Sequence, residues 1–144
     1  MRKLRVIKFR GREPNGRWRY GDLFHPGGEA RNTHIMEYNR LGVEYAVQPE
    51  TVGQYIGLTD SNDKEIYDGD IVRVVCYGEE SIHVITYNAE RWDYPAFDLT
   101  PDLSDDTNSL SYCMCDSDTE IFVIGNIHDN PDMLTQKILS ALDV

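Results

Sequence analysis

Residues 54–77 read QYIGLTDSNDKEIYDGDIVRVVCY. This stretch decides the fold class. QYIGL (54–58) is short and apolar. TDSNDKE (59–65) is wholly polar and reads as a turn, because Asp, Asn and Ser side chains bond their own backbone. Asp68-Gly69 is a second tight turn, where glycine lets the chain bend sharply on entering a strand. DIVRVVCY (70–77) is β-branched through its middle and carries the strongest strand signal in the chain. Two apolar runs separated by turn residues point to a mainly β protein.

Upstream the pattern repeats. LRVIKFR (4–10) is apolar-rich and ends at Gly11. RWRY (17–20) alternates Arg with Trp18 and Tyr20, a period of two. Asn15-Gly16 just before it is a hairpin turn signal, so the first two strands pair. FHPGGEARN (24–32) reads as a loop and THIMEY (33–38) as a third strand. VEYAV (43–47) places Val43, Tyr45 and Val47 on one face. Pro49 to Val52 forms one helical turn, since Pro suits the first helical position.

Downstream, IHVITY (82–87) follows a hairpin loop at 78–81. RWDYPAFDL (91–99) is an edge or irregular strand because Pro95 cannot donate to a ladder. Residues 98–109, DLTPDLSDDTNS, hold four acids (Asp98, Asp102, Asp105, Asp106) and no base, and read as a mobile surface loop. LSYCMC (110–115) and EIFVIGNI (120–127) are the last strands, with Gly125-Asn126 a bulge or a final corner. At the end the period changes. Asn130 is a helix N-cap and Pro131 the first helical residue, with Asp132 near the positive end of the dipole. Met133, Leu134, Ile138, Leu139 and Leu142 then form one apolar stripe. Such a helix is too short to stand alone and must dock.

The chain has 144 residues, 40% of them hydrophobic, and a formal net charge of −11. That length suits one compact unit or two small ones. Three cysteines do not make a disulfide scaffold. No apolar run is long enough to span a membrane, and MRKLRVIKFRGRE lacks an export signal's apolar core. The expected location is the cytoplasm. The charge is uneven: residues 1–20 hold eight bases and one acid, the remainder six bases and 24 acids. A basic strand beside acidic strands explains this; a basic arm for nucleic acid is the alternative. Leu4, Val6, Ile7 and Phe9 interleave the bases and call for a core, which favours the strand. The acidic remainder disfavours phosphate-backbone binding.

No motif names a biochemical activity. Cys113-Met114-Cys115 is half of a metal site at most. Cys76, His25, His34, His83 and His128 lack ligand spacing, so neither zinc nor any cofactor is expected. Asp60 to Glu65 superficially suggests a calcium loop, but Lys64, Glu65 and Ile71 occupy its fifth, sixth and twelfth positions, and the site is rejected. There is no phosphate-binding loop, dinucleotide fingerprint, zinc-protease helix or nucleophile elbow. Gly53 and Gly57 have membrane-dimer spacing without an apolar helix around them. Carboxylate pairs are unavoidable among 25 acids. Trp18, Tyr20, Tyr55, Tyr67, Trp92 and Tyr94 are candidates for a peptide groove or a base-stacking platform, with core packing the simpler use.

The segment VQPETVGQYIGLTDSNDKEIYDGDIV (47–72) closely resembles the central signature of the YopX family, small proteins carried mainly by bacteriophages and prophages. IKFRG (7–11) with GRWRYGDL (16–23) resembles the family's opening, and IFVIGNIHDNPDML (121–134) its closing motif. The likeness thus runs from Ile7 to Leu134. Ile56 stands where the family usually has Thr, and Asn62-Asp63 where it usually has Asn-Gly; Asp tolerates a left-handed backbone better than most residues. Residues 88–118 match no family motif. The resemblance implies an N-terminal β-region (1–58) joined to a small Src-homology-3-like barrel with the C-terminal helix (59–144). It implies self-association and no known activity, so it assigns no catalytic, cofactor, metal or binding residue. The expected function is therefore a non-enzymatic, self-associating accessory protein that binds a host or phage protein. The alternatives are an acidic nucleic-acid mimic that inhibits a host DNA-binding protein, and weak nucleic-acid binding through the basic N-terminal segment.

Overall fold

Antiparallel hairpins dominate the computed structural model, which describes residues 3–37, 42–87, 96–103 and 108–142. The chain divides into two compact units, Met1–Gly57 and Leu58–Val144. Tyr38, Trp92, Tyr94, Pro95 and the acids at 105 and 106 lie outside the described residues.

The first unit is built from β1 (Phe9–Arg12), β2 (Trp18–Phe24), β3 (His34–Glu37), β4 (Glu44–Ala46) and β5 (Gly53–Thr59). They lie in the order β4-β3-β2-β1-β5. The Asn15-Gly16 signal closes β1 onto β2. Asn15 Oδ1 accepts the Arg17 N–H at 2.9 Å, and the Glu13 N–H donates to the Arg17 carbonyl at 2.8 Å. Gly21 is required by close approach: a Cβ there would lie 1.9 Å from the Met36 carbonyl oxygen on β3. Pro49–Thr51 is the helical turn read from Pro49, and Thr51 Oγ1 accepts the Arg12 N–H at 2.8 Å.

The period of two in RWRY holds, but its buried face belongs to arginine. Arg19 is buried while Tyr20 is exposed. The Arg19 guanidinium meets Glu13 and Glu37 at 3.2 Å each and stacks 3.5 Å from the Tyr45 ring centroid. Burial opposes its charge, and the Glu37 and Glu13 hydrogen bonds outweigh that, holding its pKa above the ordinary value. A guanidinium can be buried when carboxylates and an aromatic face replace its water. The basic stretch does lie beside acids here. The expected core for its apolar residues is absent, however: Leu4 is 90% exposed, and Val6 and Ile7 are also exposed. The regular strand begins at Phe9, although Lys8 before it is half-buried and its carbonyl accepts the Tyr55 N–H at 2.9 Å.

The second unit holds β6 (Glu65–Tyr67), β7 (Asp70–Cys76), β8 (Glu79–Tyr87), β9 (Phe97–Thr100), α1 (Ser109–Cys115), β10 (Thr119–Asn126) and α2 (Gln136–Leu142). The mainly β class and the short C-terminal helix are as the sequence predicts. β6 continues from β5 across the 60–64 turn, where Asp63 takes φ 62 in the place of the usual glycine. The main sheet runs β10-β7-β8-β9, and no pairing closes β9 onto β10 among the described residues. Ile71 and Val72 point to opposite faces of β7 and both are wholly buried, so the sheet is covered on both sides there. Ile71 and Val84 pack with Ile138 of α2, flanked by Met133, Leu134 and Leu142. The β10 register shifts between Val123 and Gly125, which is the bulge.

Three expectations need correction. LSYCMC is a helix, because a period-two reading of Cys113 and Cys115 misses the i, i+3 pair Leu110 and Cys113, which is what the core buries. The terminal helix starts at Gln136, not Pro131. Pro131–Met133 is a single 3-10 turn. Asn130 does not cap it, because its Oδ1 accepts the Asn126 N–H at 3.1 Å instead. Leu139 consequently leaves the apolar stripe and is exposed. The 98–109 segment is not simply a surface loop: Asp98 to Thr100 lie in β9, and Asp98 and Leu99 are wholly buried.

Asp60, the first position of the rejected calcium loop, is turned inward. Its Oδ1 accepts the N–H groups of Asn62 and Lys64 at 2.8 and 2.9 Å, and its Oδ2 accepts the Val123 N–H at 2.9 Å. The carboxylate thus ties the β5–β6 turn to β10. Replacing Asp60 with Ala strips three donors of one acceptor and should lower unfolding stability by about 2–3 kcal/mol. A urea midpoint unchanged by the substitution would contradict this.

Candidate functional site

The β7–β8 connection has two residues, Tyr77 and Gly78, with Cys76 paired to Glu79. Their φ values are 49 and 82, the positive pair that a type I′ hairpin turn requires. The expected 78–81 loop is therefore shorter, and β8 begins at Glu79. Gly78 suits that conformation. Tyr77 does not, since a side chain in the left-handed region costs about 1–2 kcal/mol. Strain of this kind collects at working sites. The Tyr77 ring is 66% exposed.

Facing this turn is α1, placed by a buried carboxylate. Asp98 Oδ1 accepts the Leu99 and Leu110 N–H groups at 2.8 and 2.9 Å, and Oδ2 accepts the Asn108 N–H at 2.7 Å. Ser109 Oγ also accepts the Leu103 N–H at 3.2 Å. The helix presents Tyr112 outward. The hydrogen bond to Tyr112, with the nearby Asp116, holds the Tyr77 phenol above its ordinary pKa, so it stays neutral. Between turn and helix lies a cleft of about 1090 Å³, walled by Tyr77, Tyr112, Glu79, Glu80, Ser81 and Leu103. It is slightly larger than the usual range for small-ligand pockets, roughly 300–1,000 Å³. The described residues lining it include no Lys or Arg. Arg73, at 2.8 Å, pairs with Glu80 from the neighbouring strand.

Ser81 and His83 occupy one face of β8. His83 is buried, its Nδ1 donates to the Pro101 carbonyl, and its Nε2 accepts the Ser81 hydroxyl at 2.7 Å. The carbonyl can only accept, so Nδ1 carries a proton, and burial, which disfavours the charged ring, leaves Nε2 without one. Burial lowers the His83 pKa, Lys137 adds to this, and the Pro101 bond and Asp98 oppose it. Cys113 is buried, and burial is the leading cause of its thiol being pushed up to about 11. Cys115 is exposed on the same helix and lines the cleft. A two-residue step on a helix turns these thiols apart, and no metal-holding cluster of three such side chains occurs among the described residues.

Of the aromatics singled out from sequence, Trp18, Tyr20, Tyr55 and Tyr67 are described, and none of these four lines the cleft. Trp18 stacks under Arg10 and Tyr55 under Lys8, both in the first unit. Tyr67 is core. Sequence reasoning missed Tyr77 and Tyr112. A two-residue gap ending in Gly between two apolar runs was the signal for the first; the second had none, because its helix read as a strand.

Two outcomes follow from this geometry. Tyr77→Asn places a residue suited to the left-handed region before Gly78 and should raise stability by about 1 kcal/mol. A lower thermal midpoint would contradict the strain at Tyr77. Because folding keeps His83 neutral, its contribution to stability is present above pH 6.5 and lost as the pH falls below it. Thermal midpoints of His83→Gln should fall less steeply than wild type over that range; parallel curves would contradict the assignment.

Comparison with known proteins agrees with this architecture. The solved crystal structure of protein EF1440 from Enterococcus faecalis superposes with a TM-score of 0.57 at 22% identity, covering 90% of this chain and 99% of that one. That likeness concerns the fold alone. No curated protein matches the sequence. The family described as YopX protein matches residues 8–135. With nearly the whole chain accounted for by that match, this protein belongs to the YopX family.

Proposed function

We propose that the chain is a non-enzymatic protein-binding module that associates with copies of itself, an accessory protein of a bacteriophage or prophage acting in the bacterial cytoplasm. The observation that carries it is the cleft between the Tyr77-Gly78 turn and α1, with two exposed tyrosines at its mouth. Tyrosine brings a large, rigid, amphipathic contact area at low entropic cost, which suits peptide recognition. Family membership supports the accessory role. No helix among the described residues is long and apolar enough to cross a membrane.

The electrostatic alternatives have less support. Asp60, Asp70 and Asp98 are buried and bond backbone N–H groups, so they cannot imitate surface phosphates. Arg10 and Arg19 are likewise buried and withdrawn from any nucleic-acid contact. The Ser81–His83 pair resembles a nucleophile with its base. On a strand two residues apart, its simpler role is to satisfy a buried ring nitrogen.

Immobilised full-length protein should retain one defined protein from bacterial lysate after nuclease treatment, and lose it when Tyr77→Ala and Tyr112→Ala are combined. Retention that depends on nucleic acid would contradict the proposal and move the site to the basic N-terminal segment. Labelling of Ser81 by a fluorophosphonate probe would overturn its non-enzymatic part.

A further inference from the structure

The cleft between the Tyr77-Gly78 turn and α1 has a one-sided chemistry. Its described lining carries Glu79 and Glu80 and no Lys or Arg. Glu80 is satisfied by Arg73 at 2.8 Å. Glu79 is exposed on the same strand, and its carboxylate meets no cation among the described residues. The Tyr77 phenol is held above its ordinary pKa first by the hydrogen bond to Tyr112 and then by the charge of Asp116, to which Asp118 adds. A negative field therefore reaches the mouth of the cleft. The two hydrogen-bonded tyrosines expose their rings there, Tyr77 to 66% and Tyr112 to 54%.

We infer that this cleft receives an arginine side chain carried on a short segment of a partner protein. The inference deepens the proposed function by naming the partner's chemistry, and it rests on the protein-binding part of that reading. A guanidinium is planar and weakly hydrated, so it lies on an aromatic face while pairing with a carboxylate; an ammonium holds its water more firmly. Two of the chain's own arginines are held in this way. Arg19 lies 3.5 Å from the Tyr45 ring centroid between Glu13 and Glu37. Arg73 lies 4.8 Å from the Phe122 ring centroid and bonds Glu80. The cleft offers the same two parts, exposed tyrosine rings and the Glu79 carboxylate, with no described cation between them. Leu103 gives the methylene stem an apolar neighbour. A volume of about 1090 Å³ exceeds one guanidinium and leaves room for the residues flanking it, which favours a peptide over a free amine. Tyr77 held in a strained conformation then has a use: Asn would suit the turn better but offers no ring.

The probe is a blocked peptide, Ala-Gly-Arg-Gly-Ala, and its control carries citrulline, which keeps the shape of arginine without its charge. Both are titrated into isotope-labelled full-length protein and followed by amide chemical shifts. The arginine peptide should move the amides of Tyr77, Gly78, Glu79 and α1. It should bind at least about tenfold more tightly than the citrulline peptide and weaken as salt rises. A lysine peptide should bind less tightly than the arginine one. Glu79→Gln and, made separately, Tyr112→Ala should each weaken the arginine peptide by at least about fivefold. Both change exposed side chains, and thermal midpoints within about 3 °C of wild type show that the folded state is kept. Equal affinity for the arginine and citrulline peptides, or no shift at these amides with about 10 mM peptide, overturns the inference. Spermidine binding as tightly as the arginine peptide also overturns it, by making the cleft a site for free amines. The underlying reading is judged apart from this: if a lysate protein is held through Tyr77 and Tyr112 while the arginine peptide neither binds nor displaces it, the arginine site falls and protein binding stands. If neither protein nor peptide is held, both fall.

Discussion

The carboxylate of Asp98 holds the second unit's architecture in place. It is wholly buried and accepts backbone N–H groups from Leu99, Asn108 and Leu110. A buried charge without such donors would cost several kcal/mol, so the side chain selects the conformation that brings the donors to it. Two of those donors lie at the entry to α1. The helix is seven residues long and too short to form alone, and its N-cap side chain makes no capping bond. Asp98 therefore stands in for the cap from a neighbouring strand. Without it α1 has little reason to exist, and without α1 the cleft loses the wall that carries Tyr112.

The same device recurs. Asp60 fastens the β5–β6 turn to β10, and Asp70 accepts the Tyr67 N–H at 2.7 Å across the turn before β7. In the first unit the roles reverse: Arg19 is the buried charge, and Glu13, Glu37 and the Tyr45 face replace its water. Both units hold their backbone connections with buried ionic groups as well as aliphatic packing. Leu4, Val6 and Ile7 are left exposed.

Much of the fold was legible in the sequence. Alternation and turn chemistry located the first hairpin, read as strands 4–10 and 17–20 and found at 9–12 and 18–24, and the 70–77 strand, found at 70–76; of the bulge or corner read at Gly125-Asn126, the register shift makes a bulge. The site was far less legible. An acidic segment reads as solvated, and nothing local says that Asp98 is turned inward to bond an amide ten residues on. LSYCMC has a strand's period of two in its cysteines, and only tertiary contact reveals that Leu110 and Cys113 share the buried side of a helix. The RWRY alternation was read correctly, but which face is buried depends on carboxylates that β3 and the β1–β2 turn supply. In each case a tertiary partner overrode a local signal.

Amide hydrogen exchange on full-length Asp98→Asn tests this dependence most directly. Asn keeps the volume and one acceptor but turns a donor toward the Asn108 N–H. The account predicts that amides of α1 exchange at least about tenfold faster than in wild type, while those of β2 and β3 keep their protection. Wild-type protection throughout 108–115 would contradict it, and the cleft would then need another explanation for its wall.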